Sequence, residues 1–277
     1  MSKERIDILL VQNGLFATRE KAKAAIMAGI VYIDNERIDK PGEKVDATKE
    51  IVVKGNTHPY VGRGGLKLEK ALDVFQINLI DKIMIDIGAS TGGFTDCALQ
   101  NGAYHVYAVD VGYGQLDWKL RSDARVTVLE RTNFRYLETS KLKVGLPDIA
   151  TIDVSFISLK LIFPKLAEIL KPSGYVVALI KPQFEAGKEL VGKKGIVRDA
   201  KVHKQVLLDV IQNIITHQFT LHGLTYSPIT GGDGNIEFLA AFKFEPSSLI
   251  EDVVIVNELE LTSRIDDVIK AAHDSLS

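Results

Sequence analysis

Residues 83–93 read IMIDIGASTGG, and this stretch decides the fold of the chain. The mostly apolar run that ends at Ile87 is typical of a buried strand, and the glycines that follow open a predicted helix from Phe94 to Gln100. A glycine-rich turn between a parallel strand and a helix lets the backbone approach a nucleotide-like ligand closely. The glycines stand at positions 88, 92 and 93, a spacing that matches neither the G-x-G-x-x-G fingerprint of dinucleotide enzymes nor a P-loop.

From residue 82 onward, strand patterns alternate with helix patterns. Such alternation predicts an α/β fold, a mostly parallel sheet covered on both faces, here with a final antiparallel pair of strands. The predicted strands lie near 83–87, 105–109, 126–129, 149–153, 174–180, 219–227 and 235–244. The predicted helices include 66–75, 159–170, 199–217 and an amphipathic helix within 257–275.

The pattern of the first 56 residues is different and predicts a small α+β unit. Helical patterns begin at Arg5 and after Thr18, and short strands are expected near 30–34, 38 and 50–54. The next segment is short, polar and contains proline, which favours an interdomain linker. The predicted division is 1–56 for the small domain, 57–61 for the linker, 62–246 for the α/β domain and 247–277 for a helical extension.

The composition is that of an ordinary globular protein, with 46% hydrophobic residues, 25% charged residues and a net charge of −2. No apolar run reaches the length of a membrane span, and the charged N-terminus has no signal-peptide core. We therefore expect a cytoplasmic protein that does not associate with a membrane. Cys97 is the only cysteine, which excludes an internal disulfide, and no metal site is predicted. Any affinity for RNA must come from local basic patches.

Charged residues stand where several predicted strands end, and ligand sites of open parallel sheets gather at such ends. Asp110 closes the strand after the glycine turn, where an acid can accept hydrogen bonds from ribose hydroxyls. Asp153 and Lys181 each follow an apolar run, and Glu237 lies within the strand predicted at 235–244. A helix cap, a salt-bridged strand end or a solvated strand face is the alternative for these residues. Lys67, on the helix at 66–75, has the weakest pattern of its own.

Taken in order, Lys67, Asp153, Lys181 and Glu237 resemble the K-D-K-E tetrad of the FtsJ-type ribose 2′-O-methyltransferases. The resemblance covers nearly the whole chain. The segments that carry it are YVGRGGLKL (60–68), DIGASTGGFTD (86–96), DVGYGQLDWKLR (110–121), ERTNFR (130–135), DVSFIS (153–158), KPQFE (181–185), KGIVRD (194–199) and GNIEF (234–238). A basic helix followed by AGIVYIDNERIDKPGEKV (28–45) resembles the small S4 RNA-binding domain. Together these segments are similar to the TlyA family, whose members are rRNA 2′-O-methyltransferases often labelled hemolysin.

The resemblance implies a Rossmann-like methyltransferase sheet preceded by an S4 domain, with S-adenosylmethionine as cofactor. The tetrad is then catalytic, with Lys181 in the central role. Lys181 acts either as a base whose pKa is lowered by burial or by a cationic neighbour such as Lys67, or as a charge that stabilises the alkoxide while water takes the proton. The cofactor-binding residues that the resemblance implies are Asp86, Gly88, Ala89, Ser90, Gly92, Gly93, Asp110, Val111, Asn133 and Asp153.

The implied partner is ribosomal RNA or a ribosomal subunit, with a cytidine as the target. The candidate RNA-binding residues are Arg5, Arg19, Lys21, Lys23 and Arg63. A solvated helix face is the alternative for the three residues of the second helix. Two other functions stay open, a pore-forming or membrane-lysing hemolysin and a non-catalytic RNA-binding factor in ribosome assembly. The linker departs from mycobacterial relatives at His58 and Tyr60, where those relatives carry Arg and Trp.

Overall fold

The computed structural model describes residues 3–16, 18–54, 58–192, 194–231, 234–246 and 258–276. The elements of its N-terminal part are β1 (Lys3–Arg5), α1 (Ile6–Gln12), α2 (Arg19–Met27), β2 (Val31–Ile33), β3 (Glu36–Arg37), β4 (Lys44–Asp46) and β5 (Ile51–Val53). Strands β1 and β4 pair with each other, and the other three form an antiparallel sheet in the order β3-β2-β5.

Helix α2 begins directly after Thr18, as the sequence predicts. The hydroxyl of Thr18 accepts a hydrogen bond from the backbone N–H of Lys21 and caps the helix. Ala22 and Ile26 are buried against α1 and the sheet. Arg5 differs from the prediction, because it ends strand β1 opposite Lys44 instead of starting the first helix.

The larger part is built on a seven-stranded sheet. Its strands are β6 (Ile83–Ile87), β7 (His105–Val109), β8 (Val126–Leu129), β9 (Ile149–Ile152), β10 (Tyr175–Ile180), β11 (Phe219–Tyr226) and β12 (Phe238–Phe244). They lie in the order β11-β12-β10-β9-β6-β7-β8. Strands β6 to β10 are parallel, and β12 lies antiparallel between β10 and β11. The predicted fold class is confirmed.

Helices cover both faces of this sheet. They are α3 (Gly64–Phe75), α4 (Gly93–Gln100), α5 (Trp118–Arg121), α6 (Phe163–Ile169), α7 (Pro182–Glu185), α8 (Ala200–Ile215) and α9 (Glu258–Leu276). The apolar sides of α3 and α4 form one hydrophobic cluster with one face of the sheet, while α6, α8 and α9 form a second cluster with the other face. Two layers of helix around a parallel sheet leave the carboxyl ends of the strands open for a ligand.

Several predicted boundaries differ from the structure. The last strand begins at Phe238, so Glu237 lies in the loop before it and not within the strand. The helix predicted at 159–170 is a 3₁₀ turn (Leu159–Leu161) followed by α6, whose second residue is a proline. The predicted division after residue 56 and the segment 247–257 lie outside the described residues.

Residues 58–61, predicted as part of a linker, are packed on the α/β domain. The buried hydroxyl of Tyr60 donates to Oε1 of Glu69 at 2.6 Å. The backbone N–H of Val61 donates to Oδ2 of Asp96 on α4 at 2.9 Å. These residues therefore belong to the folded α/β domain, and Thr57 lies outside the described part of the chain.

Candidate active site

Strand register brings Lys181 and Glu237 to the same edge of the sheet. Ile180, the last residue of β10, is the antiparallel partner of Phe238, the first residue of β12. Lys181 follows the one and Glu237 precedes the other, so both leave the sheet at one point. Asp153 directly follows β9, the parallel neighbour of β10, and reaches the same edge.

The fourth residue, Lys67, comes from α3 and connects these side chains. Its Nζ lies 2.7 Å from Oε2 of Glu237 and 3.6 Å from Oδ2 of Asp153. The Nζ of Lys181 lies 2.6 Å from Oδ1 of the same Asp153 and donates a hydrogen bond to Oγ of Ser155. The structure thus brings together all four predicted catalytic residues in the order Glu237, Lys67, Asp153, Lys181. We call this group the tetrad.

The charges of the tetrad compensate one another in a buried place. Burial opposes the charged form of Lys67, but Asp153 and Glu237 outweigh it and raise the pKa of Lys67 above its ordinary value. Burial likewise opposes the carboxylate of Asp153, but Lys181 and Lys67 outweigh it and lower the pKa of Asp153. The stability from Lys67 is therefore lost only as the pH rises through its raised pKa, and that from Asp153 only as the pH falls through its lowered pKa. Lys67 and Asp153 therefore both stay ionised around neutral pH.

Two cavities meet at the tetrad. The first, the tetrad cavity, has a volume of about 360 Å³ and is lined by all four tetrad residues. The second, the strand-end cavity, has a volume of about 470 Å³ and lies at the ends of β6 and β7. Gly88, Ser90, Asp153, Ser155 and Phe156 line both. A ligand in one cavity can therefore reach a ligand in the other beside Asp153.

Gly88 allows this close approach. Its φ of +88° lies in the left-handed region, and a Cβ there would lie 2.5 Å from the backbone carbonyl oxygen of Asp153. Any larger residue would push the ends of β6 and β9 apart. The glycine at this position is thus required by the packing of the two strand ends.

The strand-end cavity has features that suit a nucleoside. Asp110 lines it, and its two carboxylate oxygens accept hydrogen bonds from the backbone N–H groups of Ser90 (2.8 Å) and Gly112 (2.7 Å), which fix the acid at the end of β7. Apolar side chains such as Val111 and Phe134 line the cavity further on. A cavity of this size, with a few fixed polar groups among apolar walls, is typical of small-molecule sites.

Most of the implied cofactor-binding residues line one or both cavities, namely Gly88, Ala89, Ser90, Gly93, Asp110, Val111, Asn133 and Asp153. Within the described residues, Gly92 and Asp86 line neither of the two. Gly92 has a φ of +97° and supports the turn, with the side chains of Leu116 and Leu120 directly against it. The roles of all these residues toward a cofactor stay predictions.

Asp86 is buried beneath the glycine turn, with 1% of its surface exposed. Its carboxylate accepts hydrogen bonds from the hydroxyls of Thr95 at 2.7 Å and Thr151 at 3.0 Å. Burial raises its pKa to about 7, although the two hydroxyls act in the opposite direction. The side chain therefore ties α4 to the strands β6 and β9.

This raised pKa makes the stability of the protein depend on pH. Between the ordinary pKa of an aspartate and about 7, the folded chain keeps a proton that the unfolded chain has lost, so stability falls as the pH rises. Asparagine does not titrate, so its contribution to stability does not change with pH. We therefore expect the free energy of unfolding of Asp86→Asn, relative to that of wild type, to be about 2 kcal/mol more favourable at pH 8 than at pH 5. Urea unfolding at both pH values measures this gain. Asp73→Asn, an exposed control on α3, is expected to show none, and an equal difference at both pH values would refute the assignment.

Sequence reasoning missed Phe156, which lies three residues after the tetrad acid Asp153. Its side chain is 90% exposed, its φ is +63°, and its ring centroid lies 4.8 Å from that of Phe184. Glu185 fixes this loop by accepting hydrogen bonds from Oγ of Ser158 (2.6 Å) and the backbone N–H of Leu159 (2.8 Å). An exposed ring held beside a charged site offers a flat surface to a planar ligand. The only signal in the sequence was an aromatic residue shortly after a strand-end acid.

The predicted RNA-binding residues fall into two groups. Arg5 and Arg19 both form ion pairs with the buried Asp7, with Nε to carboxylate distances of 3.0 and 2.9 Å, and both side chains stay partly exposed. Lys21 is exposed and Lys23 half-buried on α2. Arg63 lies elsewhere, in the wall of the tetrad cavity. Four of the five residues thus share the N-terminal domain, and the fifth belongs to the candidate active site.

Two family models match the chain. The FtsJ-like methyltransferase model matches residues 60–244, and the S4 domain model matches residues 4–51. In the described part of the chain, no helix combines the length and apolar character needed to cross a bilayer.

Similar proteins agree with these models. A Bacillus subtilis protein, YqxC, provisionally named an rRNA methyltransferase, is 64% identical over 86% of this chain and 84% of its own length. TlyA of Mycobacterium tuberculosis, named a 16S/23S rRNA (cytidine-2′-O)-methyltransferase, is 42% identical over 85% of this chain and 88% of its own. A solved Streptococcus thermophilus structure, provisionally called a hemolysin, has a TM-score of 0.76 and 53% identity, covering 99% of this chain and 97% of that one. The chain therefore belongs to the TlyA family of FtsJ-like methyltransferases with an N-terminal S4 domain.

Proposed function

We propose that this protein is a cytoplasmic enzyme that transfers the methyl group of S-adenosylmethionine to a ribose 2′-hydroxyl of ribosomal RNA, with a cytidine as the target. One observation carries the proposal: two lysines and two acids line the tetrad cavity together, and one of them, Asp153, also lines the strand-end cavity. The name of the mycobacterial relative supports the choice of nucleotide.

S-adenosylmethionine is proposed to lie in the strand-end cavity. When bound, it supplies a methyl group that is activated by the positive charge of its sulfur. The backbone from Gly88 to Gly93 would hold its methionine portion, Asp110 would accept hydrogen bonds from its ribose hydroxyls, and Thr132 and Asn133 would hold its adenine. These roles fit the lining of the cavity and the fixed carboxylate of Asp110.

The acceptor hydroxyl is proposed to lie in the tetrad cavity beside Lys181. A ribose 2′-hydroxyl is a very weak acid and hence a poor nucleophile, so the site must hold it in line with the methyl group and stabilise the alkoxide that forms. Holding two reactants in this way can supply several kcal/mol. Lys181, paired with Asp153, supplies the stabilising charge. Because the pKa of Asp153 is lowered, this carboxylate is a poor base, and the proton leaves to water.

The remaining members of the tetrad hold Lys181 and its partner in place. The ammonium group of Lys67, on α3, contacts the carboxylates of both Asp153, after β9, and Glu237, before β12. Gln183 also donates to Oε1 of Glu237 from α7, the short helix after β10. The acids position the amines, and Lys181 presents its ammonium group to the acceptor hydroxyl.

Cells that lack the gene test the proposal. We expect 2′-O-methylcytidine to be lost from their rRNA in nucleoside mass spectrometry and restored by the wild-type chain but not by Lys181→Ala. Loss of a base-methylated nucleoside instead, or no change in any nucleoside, would overturn the proposal.

Arg19, Lys21 and Lys23 are proposed to bind RNA phosphates. Replacing all three with alanine is expected to weaken binding of an rRNA fragment. The negative slope of log K against log salt concentration is expected to become shallower by about 0.7 to 0.9 for each phosphate that is no longer bound, or about 2 in total. Titrations at several KCl concentrations measure the slope. A control with alanine at Lys165, Lys201 and Lys204 removes the same charge from α6 and α8. An unchanged slope in the first variant would mean that α2 does not bind the RNA.

A further inference from the structure

Arg63 is a poorly compensated cation at the junction of the two domains. Only 16% of its side chain is exposed, and burial lowers its pKa. Within the described residues its Nη1 makes no hydrogen bond, and the carboxylate that faces it, Oδ1 of Asp39 in the N-terminal domain, lies 3.4 Å away. A buried guanidinium with an unused N–H group is costly unless an anion completes it.

Asp39 cannot fully supply that anion, because it already serves Arg37. The Nε of Arg37 lies 2.9 Å from Oδ1 of Asp39, and its Nη2 donates to Oδ2 at 3.2 Å. One carboxylate thus faces two guanidinium groups, and the nearer contacts are those to Arg37. Arg63 keeps the weaker share of this charge.

The position of Arg63 relative to the tetrad indicates which anion would fit. Arg63 is the N-cap of α3 and has helical backbone angles, and Lys67 follows four residues later, so both side chains leave the same side of the helix. Both line the tetrad cavity, to which the N-terminal domain adds Met27. In RNA, the 3′-phosphate is attached to the carbon next to the one that carries the 2′-hydroxyl. A hydroxyl placed beside Lys67 and Lys181 therefore brings a phosphate to the neighbouring wall.

We propose that Arg63 binds the phosphate adjacent to the target ribose, an inference that rests on the proposed function. Asp39 holds the guanidinium of Arg63 until an RNA phosphate takes the place of its carboxylate. A guanidinium matches a phosphate through two parallel N–H···O bonds, a geometry that Asp39 does not provide. RNA binding then exchanges an ion pair between the domains for one between protein and substrate. Asp39 remains paired with Arg37 after the exchange.

Steady-state kinetics with wild-type protein and an rRNA fragment test this exchange. Asp39→Asn removes the competing anion, so we expect the KM for RNA to fall about three- to tenfold. Arg63→Ala is expected to raise it about tenfold or more, since a charge-assisted hydrogen bond to the phosphate disappears. Both variants should bind S-adenosylmethionine in calorimetry as wild type does, which also reports that the α/β domain is folded.

The matched control is Asp34→Asn, which removes the same charge from an exposed pair with Lys49 in the same domain. We expect it to leave the KM near that of wild type, and we expect Asp39→Asn to have no effect once Arg63 is alanine. The inference is overturned if the two asparagine variants behave alike, or if Asp39→Asn still lowers the KM without Arg63. A wild-type protein that methylates no RNA would instead refute the proposed function.

Discussion

Lys181→Ala is expected to lower methyl transfer to RNA by about 10³-fold while S-adenosylmethionine binds as tightly as it does to wild type. Lys181 lines the tetrad cavity and is the amine nearest to Asp153, which lines both cavities, so its removal takes away the charge that stabilises the alkoxide. Lys181 is not one of the described residues that line the strand-end cavity, so we expect the affinity for S-adenosylmethionine to stay unchanged.

Single-turnover methylation and calorimetry on the same protein sample measure both quantities. Lys160→Ala serves as the control, because Lys160 is an exposed lysine in the 3₁₀ turn near the same loop. Near-normal turnover of Lys181→Ala would remove this residue from the mechanism. Equal loss of activity and of donor binding would mean that the residue supports the fold of the site and not the reaction.

Lys67→Met is expected to abolish activity and to destabilise the fold by about 3–5 kcal/mol, because it leaves the carboxylate of Glu237 buried without its cation. Glu237 is 3% exposed, and its Oε2 lies 2.7 Å from the amine that this substitution removes. Adding Glu237→Gln removes the stranded charge. We therefore expect the double variant to recover most of the stability and none of the activity.

Urea unfolding of the single and double variants, with Lys141→Met as an exposed control, measures the stability part of this expectation. If the double variant is no more stable than Lys67→Met, the ion pair is not the source of the destabilisation. If the double variant is active, the pair is a structural salt bridge and the tetrad has only two functional members.

The central strands could be predicted from the sequence because each is an apolar run with clear ends. The predictions at 83–87, 105–109 and 126–129 agree with the bounds of β6, β7 and β8. Strands β1 (KER) and β4 (KVD) were missed because neither is an apolar run, unlike the equally short β2 (VYI) and β5 (IVV). These two strands form by pairing with each other, which no local sequence pattern indicates.

The membership of the tetrad followed from the resemblance, but its geometry did not. Lys67 and Glu237 are 170 residues apart in sequence, and their contact depends on the register that pairs Ile180 with Phe238. Nothing in the sequence indicated that one acid, Asp153, lies between both amines. The burial of Arg63 against the N-terminal domain was equally out of reach, because a lone arginine before two glycines carries no sign of its partner.

The most direct test of the central claim is the alkali resistance of the product. Purified protein is incubated with methyl-labelled S-adenosylmethionine and rRNA, and the RNA is then hydrolysed in alkali. Alkali cleaves RNA through the free 2′-hydroxyl, so a methylated ribose protects its own 3′-linkage. We expect the label in dinucleotides that survive hydrolysis, whereas label recovered in mononucleotides would place the methyl group on a base and contradict the account.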